Sequence, residues 1–263
     1  MSELYENFDP VSYVTTYSSL SNNADPLVKE LAPFQLEHLH KFYVTTGPKL
    51  TRSGCRILEY GGGPGCVHTL ISAAPYASEI VFSEYAEQNR EAARKWKSST
   101  SDTSDQTHLF EHVVFNLEKR TEENAAQERE KKLRSLISEI VPCDINDSVA
   151  IRDVTLPFDI ISTHFCLVAA VSTVEQYVSG LKKLSRLLRP GGMIVMSEAI
   201  GSTYYQVGNE TMPNVCLSTS EVVRESLLQA GFIDVSMKAF KPPPSSLTDC
   251  SLYAMFTAVL SPV

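Results

Sequence analysis

Short apolar runs alternate along this chain with stretches in which apolar residues recur at helical spacing. Arg56 to Tyr60 (RILEY) is the first run, and it ends on three glycines. Cys66 to Ala74 follows, with Val67, Leu70, Ile71 and Ala74 placed for one helical face. Glu79 to Ser83 predicts a second strand, and Ala86 to Lys97 a helix with Ala93 and Trp96 on one side. Arg120 to Leu136, rich in Glu, Lys and Ala, reads as an exposed helix. Ile140 to Ile145 reads as a third strand and Phe158 to Thr163 as a fourth. Ser172-Thr173-Val174-Glu175 has the form of a capping box, in which hydroxyl and carboxylate satisfy the free amides of a helix start. The helix it opens carries Val174, Tyr177, Val178, Leu181, Leu184 and Leu188 as one stripe. Arg189-Pro190-Gly191-Gly192 stops that helix ahead of a fifth strand, Met193 to Ser197. A second box, Ser218 to Glu221, starts a helix through Gln229 that Gly231 ends. Ile233 to Phe240 and Leu252 to Leu260 are two final strands.

Strand–helix alternation of this kind predicts an α/β fold: a seven-stranded, mainly parallel, doubly wound sheet with helices on both faces. The last two strands have no helix between them, so they pair as a hairpin through the Pro242 to Ser246 loop. Ser98 to Thr107 and Gly201 to Pro213 read as further loops. Residues 1–50 lie outside the alternation. Their Leu27, Leu31, Phe34, Leu36, Leu39, Phe42 and Tyr43 predict helices that cover one edge or the site. The expected organisation is a single domain over 1–263, with 1–50 as a helical cap and 51–263 as the core.

Composition removes several alternatives. At 43% hydrophobic and 21% charged, the 263 residues supply an ample core and exclude disordered and fibrous classes. Lys plus Arg is 23 against 31 Asp plus Glu, a net charge of −8, which is not the balance of a chain that neutralises phosphates. Nucleic acid is therefore not an expected partner. No stretch approaches 18 apolar residues, and MSELYENFDP has acids where a secretory leader has a basic region, so neither membrane nor export is expected. The six cysteines form no Cys-x-x-Cys pair; Cys66, beside the glycines, reads as packing. The histidines have no metal-ligand spacing, and His68 reads as a surface residue in preference to a ligand contact from the first helix.

The strongest chemical signal is Glu59-Tyr60-Gly61-Gly62-Gly63-Pro64-Gly65 between a strand and a helix. Glycines there let a ligand approach the backbone closely. The dinucleotide fingerprint needs a glycine at the sixth position, where Cys66 stands. Pro64 also removes an amide that a pyrophosphate would use, and Glu59 suits a cationic ligand better. Glu84 ends the second strand, where an acid can accept both hydroxyls of a ribose. Alone it does not separate an adenosyl nucleoside from a nicotinamide dinucleotide. Beside this turn, the nucleoside without phosphates fits better.

With these residues in view, the chain resembles class I S-adenosylmethionine-dependent methyltransferases. Within them it is most similar to the nicotinamide, phenylethanolamine and indolethylamine N-methyltransferase family. The resemblance rests on Phe8-Asp9-Pro10 with Tyr13, Gly61-x-Gly63-Pro64, Tyr85-x-x-Gln88-Asn89 with Trp96, and Cys143-Asp144-Ile145. It continues through Phe165-Cys166-Leu167, Arg189-Pro190-Gly191-Gly192 and Ser202-Thr203-Tyr204-Tyr205. It implies a Rossmann-like methyltransferase fold and S-adenosyl-L-methionine as cofactor. For the cofactor it implies Gly61, Gly62 and Gly63 along the methionine, Glu84 on the ribose, and Tyr85 and Asn89 beside it. Asp144 and Ile145 fall at the adenine, Thr163 and His164 at the fourth strand's end, and Tyr13 and Tyr17 over the top. For the substrate it implies Glu198, Tyr205, Val168 and Asn214. Catalysis falls to Glu198, which would hold the incoming ammonium and take its proton, and to Tyr13 as lid.

The chain departs from that pattern in four places. Val67 stands where the family has a tyrosine that reaches the cofactor's carboxylate, Gly65 replaces a threonine, and Ser18 replaces a second N-terminal tyrosine beside Tyr17. Val168 stands where the family often has an acid, leaving one carboxylate instead of two around the amine. The expected function is methyl transfer to the nitrogen of a small amine or azaheterocycle, nicotinamide-like or arylalkylamine, by a cytoplasmic monomer with no metal. Two other readings stay open on sequence alone. One is a binding protein of the same fold that has lost the activity. The other is a nicotinamide-dependent oxidoreductase, against which the glycine spacing and Pro64 argue.

Overall fold

The computed structural model describes residues 5, 8–51, 53–65, 67–99 and 105–262. Two helices, α1 (Pro10–Tyr17) and α2 (Pro26–Leu50), lead into strand β1 (Cys55–Tyr60). Each helix starts on an aspartate, Asp9 or Asp25, whose side chain accepts first-turn amides, followed by a proline where no N–H is needed. Next come β2 (Ala77–Glu84), α3 (Glu87–Lys97), and α4 (Thr107–Glu111) running into a π turn at His112–Leu117. They are followed by α5 (Ala125–Leu136), β3 (Ile137–Pro142), β4 (Phe158–His164), α6 (Cys166–Ala170) and α7 (Val174–Ser185). The remaining elements are β5 (Leu188–Ile200), the hairpin β6 (Tyr204–Val207) and β7 (Glu210–Pro213), α8 (Ser220–Gln229), β8 (Phe232–Phe240) and β9 (Leu252–Leu260).

The seven-stranded sheet has the order β3-β2-β1-β4-β5-β9-β8. The first five strands run parallel, and β9 is antiparallel to both β5 and β8. Strand order reverses between β1 and β4, which leaves a crevice at their carboxyl ends where doubly wound folds bind ligands. Alternate residues of each strand serve opposite faces. Ile57, Ile80, Phe82, Ile160 and Val195 pack against Leu36, Leu39 and Tyr43 of α2 and Trp96 of α3. Leu58, Tyr60, Ile161, Ile194 and Met196 pack against Tyr177, Leu181 and Leu184 of α7 and Leu227 of α8.

Several elements differ from expectation. Only Val67–Leu70 is helical in the predicted 66–74 helix, and as one 3-10 turn. Every residue from Val67 to Ala74 except His68 is buried, so the apolar spacing reflects burial on all sides. The long exposed helix starts only at Ala125, and its Arg129 is buried, paired with Glu118 at 2.7 Å. The third strand lies a few residues earlier, at Ile137–Pro142. Both helix caps sit one residue later than the boxes suggested, on Thr173 and Thr219. Leu188, assigned to a helical stripe, opens β5, and the 201–213 loop holds the β6–β7 hairpin.

Candidate active site

The crevice is organised by the turn after β1. Gly61 has φ +69°, and a Cβ there would run into the Cys166 sulfur at the start of α6. A side chain is excluded twice, by backbone conformation and by the close approach. Gly62 N donates to Ser83 O at 3.0 Å and Gly63 N to Glu84 Oε2 at 2.9 Å, so the turn is fastened to the end of β2. Across the crevice Phe165 holds the left-handed conformation, φ +56°, between β4 and α6. Its amide donates to Ser197 O at 2.8 Å, and its ring meets Tyr253 edge-on. Such a conformation stores roughly 1–2 kcal/mol in a residue other than glycine.

Two cavities lie over these strand ends. The acid-rimmed cavity, of about 920 Å³, is lined by Gly61, Gly63, Glu84, Tyr85, Asn89, Asp144 and Ile145, with Tyr5 and Phe8 above. The Glu84 carboxylate also accepts from Ala86 N at 3.0 Å and Asn89 Nδ2 at 3.2 Å. Burial raises its pKa, and these donors pull it back down. Asp144 holds its own loop by accepting Asn146 N at 2.8 Å. The thiols of Cys143 and Cys166 line this cavity as neutral groups, because burial pushes Cys143 up to about 12 and Cys166 well above its usual value. Cys66 lies outside the described residues.

The aromatic cavity, of about 840 Å³, is lined by Tyr13, Tyr17, Phe165, Tyr205 and Tyr253 together with Gln35, Val168, Ala199, Asn214 and Thr248. The two cavities share Tyr13, Gly61, Gly63, His164, Phe165 and Tyr205 as common walls. Helix α1 is tied across the top. Tyr17 Oη donates to Gln206 O at 2.9 Å, and the Tyr5 and Tyr205 hydroxyls are 3.0 Å apart. Asn214 Nδ2 donates to Ser202 Oγ at 2.9 Å, which leaves its buried Oδ1 without a partner. Val215 N donates to Val168 O at 2.8 Å and holds that loop against α6.

Titratable groups meet at the inner end of the aromatic cavity. Glu59 is buried there; Thr69 Oγ1 donates to its Oε1 at 3.0 Å and its Oε2 has no partner. Burial pushes its carboxyl up to about 8. His164 has both ring nitrogens engaged, with Ser162 Oγ at 3.0 Å and Ser197 Oγ at 2.8 Å, and burial lowers it to about 3. His68 is not a surface residue. It lines this cavity with Nδ1 buried and unpartnered, and burial lowers it to about 4.

Of the residues expected from sequence, Tyr13, Tyr17, Gly61, Gly62, Gly63, Glu84, Tyr85, Asn89, Asp144, Ile145, His164, Val168, Tyr205 and Asn214 line one cavity or both. Two do not. Thr163 lines neither cavity, because the next residue of β4, His164, takes that side and successive strand residues alternate. Glu198 is likewise turned to the other face of the sheet. Tyr177 Oη of α7 donates to its Oε1 at 2.9 Å, it lines neither cavity, and burial pushes it up to about 8. The adjacent Ser197 takes the crevice side instead. Sequence reasoning missed Tyr5, Gln35, Phe165 as a shared wall, Thr248 and Tyr253. Tyr253 stands in the almost unbroken apolar run of β9, a pattern that carries no functional signal. Among the described residues no group of three His, Cys, Asp or Glu stands where it could hold a metal ion.

Comparison with known proteins adds an independent line. The family model described as the NNMT/PNMT/TEMT family matches residues 1–251. The indolethylamine N-methyltransferase of Oryctolagus cuniculus is 30% identical over 241 residues, covering 91% of this chain and 88% of that protein. The human nicotinamide N-methyltransferase is 29% identical over 230 residues, covering 86% and 82%. Among solved structures, the magnesium protoporphyrin IX methyltransferase of Synechocystis PCC 6803 superposes with a TM-score of 0.57 at 12% identity, covering 98% of this chain and 94% of that one.

Proposed function

The chain belongs to the NNMT/PNMT/TEMT family and is an S-adenosylmethionine-dependent N-methyltransferase acting on a small amine or azaheterocycle, and from that premise we propose how its two cavities divide the reaction. The acid-rimmed cavity takes the adenosine, with Glu84 at the ribose hydroxyls, Asp144 and Ile145 at the adenine, and Tyr85 and Asn89 alongside. The donor set fits such a nucleoside. A buried carboxylate stands ready for the diol, and among the described residues no Lys or Arg that would balance a pyrophosphate lines either cavity. Gly61 to Gly63 run along the amino-acid tail, and the aromatic cavity takes the acceptor.

Bound there, S-adenosylmethionine supplies a methyl group already activated on a sulfonium. The protein's work is then alignment and exclusion of water, which in favourable cases supplies roughly 7–11 kcal/mol. Tyr13 and Tyr17, drawn down by the Tyr17 bond to β6, close the top. Val168, Ala199, Tyr205 and Tyr253 give the acceptor a wall that penalises an ammonium ion, so the nitrogen enters uncharged with its lone pair free. The ring faces favour the positive charge that develops on that nitrogen. Asn214 Oδ1 offers an acceptor to an N–H of the substrate. Glu198, bonded to Tyr177 through Oε1 and outside both cavity walls, is given no part in this division.

The observation that carries this reading is the set of six walls common to both cavities, which sets an acceptor chamber against the inner end of a nucleoside chamber. The substrate class is set by that chamber: a pyridine-type heterocycle or an arylalkylamine, nicotinamide-like in size. A panel of amines and pyridines incubated with labelled cofactor, read by mass spectrometry, should show at least one member gaining a methyl. Tight binding of S-adenosylhomocysteine with no methylated product across the panel would overturn it. We further propose one catalytic unit, residues 1–50 forming its cover, that works as a cytoplasmic monomer without nucleic acid. The free state of the five described cysteines supports a reducing compartment, and no helix among the described residues is long and apolar enough to cross a membrane. Sedimentation of the purified chain tests the monomer.

A further inference from the structure

We infer that His68 reads the α-carboxylate of the cofactor's amino-acid end, with Glu59 facing the α-ammonium of the same group. The inference rests on the proposed position of that tail along Gly61 to Gly63 and adds the residues that recognise its two charges. An α-amino acid makes opposite demands a few ångströms apart: one partner that accepts and one that donates. The inner end of the aromatic cavity presents one of each. Glu59 Oε2 and His68 Nδ1 are both buried, both without a partner, and both belong to residues lining that cavity beside the glycine turn. A buried polar atom left unmatched is costly, which marks these two as reserved for a ligand.

No other group in the cavity can take the carboxylate by charge. Among the described residues no Lys or Arg lines it, and both nitrogens of His164 are held by serines. His68 sits in the 3-10 turn that follows the glycines, so its distance from the turn is fixed by only a few backbone torsions. On their own both groups are uncharged near neutrality, Glu59 because burial raises it to about 8 and His68 because burial lowers it to about 4. The pair therefore tolerates burial as two neutral groups, and each ionises only against the opposite charge of a ligand. The proton Glu59 would release matches the proton His68 would gain.

The test is calorimetric titration of the full chain and of His68→Ala with three probes. They are S-adenosylhomocysteine, its analogue lacking the α-carboxylate, and 5′-methylthioadenosine, which has no amino acid. Removing a hydrogen bond to a charged group should weaken S-adenosylhomocysteine about 10- to 100-fold. The other two probes should change by less than about twofold. His68→Asn, which keeps an N–H near the Nδ1 position, should recover most of the loss. His68→Leu, which fills the space without a donor, should behave as His68→Ala and serves if the alanine variant does not fold. An equal loss for all three probes, or no loss for S-adenosylhomocysteine, overturns the inference. If the unaltered chain binds none of the three, the placement of the cofactor falls, and this assignment with it.

Discussion

The two cavities are built by different means. The acid-rimmed one is made mostly of segments at the carboxyl ends of β1, β2, β3 and β4: a glycine turn, Glu84, and the Asp144 loop, cross-linked by Gly63 N on Glu84 Oε2 at 2.9 Å. Its key carboxylate is held by three donors before any ligand arrives. The aromatic one joins the ends of β1 and β4, through Glu59, His68, His164 and Phe165, to α1, α2, the β6–β7 hairpin, the loop before β9 and β9 itself, and three of its polar atoms, on Glu59, His68 and Asn214, are left without partners. Sheet topology thus dictates where a nucleoside goes, while elements appended to the sheet decide what is methylated. A fixed half and a variable half suit a family whose members share a cofactor and differ in acceptor.

Four perturbations test that division. The largest effect belongs to Gly61→Ala, which adds both a strained φ and a clash with Cys166. Unfolding stability should fall by about 3 kcal/mol, a drop of roughly 10 °C in melting temperature. Pairing it with Cys166→Ala should return only a minor part of the loss, because the Cβ of residue 166 still stands 2.6 Å from the added methyl. Next, Glu84→Gln keeps the shape but gives up an acceptor to Gly63, Ala86 or Asn89. S-adenosylhomocysteine should bind about 10- to 100-fold more weakly, by calorimetry, with any acceptor selectivity unchanged.

Val168→Asp does the reverse by placing an anion in the acceptor wall. The kcat/KM ratio for an alkylammonium over a neutral pyridine should rise about tenfold, with affinity for S-adenosylhomocysteine within about twofold. An equal change in both halves would break the comparison. The smallest effect on activity is expected where stability instead depends on pH. Glu59 and Glu198 titrate near 8 in the folded chain against an ordinary 4.5, so between those values the folded state holds protons that the unfolded chain has lost. Stability contributed by those protons falls as pH rises through that window. His68 and His164, lowered to about 4 and 3 from 6.5, act oppositely, but only below 6.5. From pH 6.5 to 8 the acids are unopposed, and stability should decline by about 1 kcal/mol per pH unit for each. Glu198→Gln should remove about half of that slope in a pH series of denaturant melts. It should change kcat/KM by less than about threefold.

The same division explains what the sequence disclosed. Strand positions and the glycine turn are written in apolar runs and local punctuation, and all seven strands were legible there, the third a few residues out of place, while the 66–74 helix was not. Glu84 and Asp144 were found because strand ends are recognisable and a parallel sheet sends them to one rim. Glu198 was misplaced by one step of strand alternation. A strand buried on both faces has no polar side to betray its phase, so MIVMSEAI does not say whether Ser197 or Glu198 meets the crevice. His68 was missed because a single polar residue in an apolar segment looks like a surface position when its neighbours are assumed helical. Tyr253 and Thr248 reach the site through tertiary packing across long stretches of chain, which no local pattern records.

The position of β9 has a consequence for how the protein comes into being. It is the last of the seven strands to leave the ribosome, yet it lies between β5 and β8. Until it emerges, the long β5 has an open margin, a template for unwanted strand addition. Thr248 and Tyr253 arrive with β9, so the acceptor wall is completed later along the chain than the turn, Glu84 and Asp144 of the nucleoside half. A chain cut before Thr248 lacks two walls of the acceptor chamber and leaves the whole of one β5 edge unpaired.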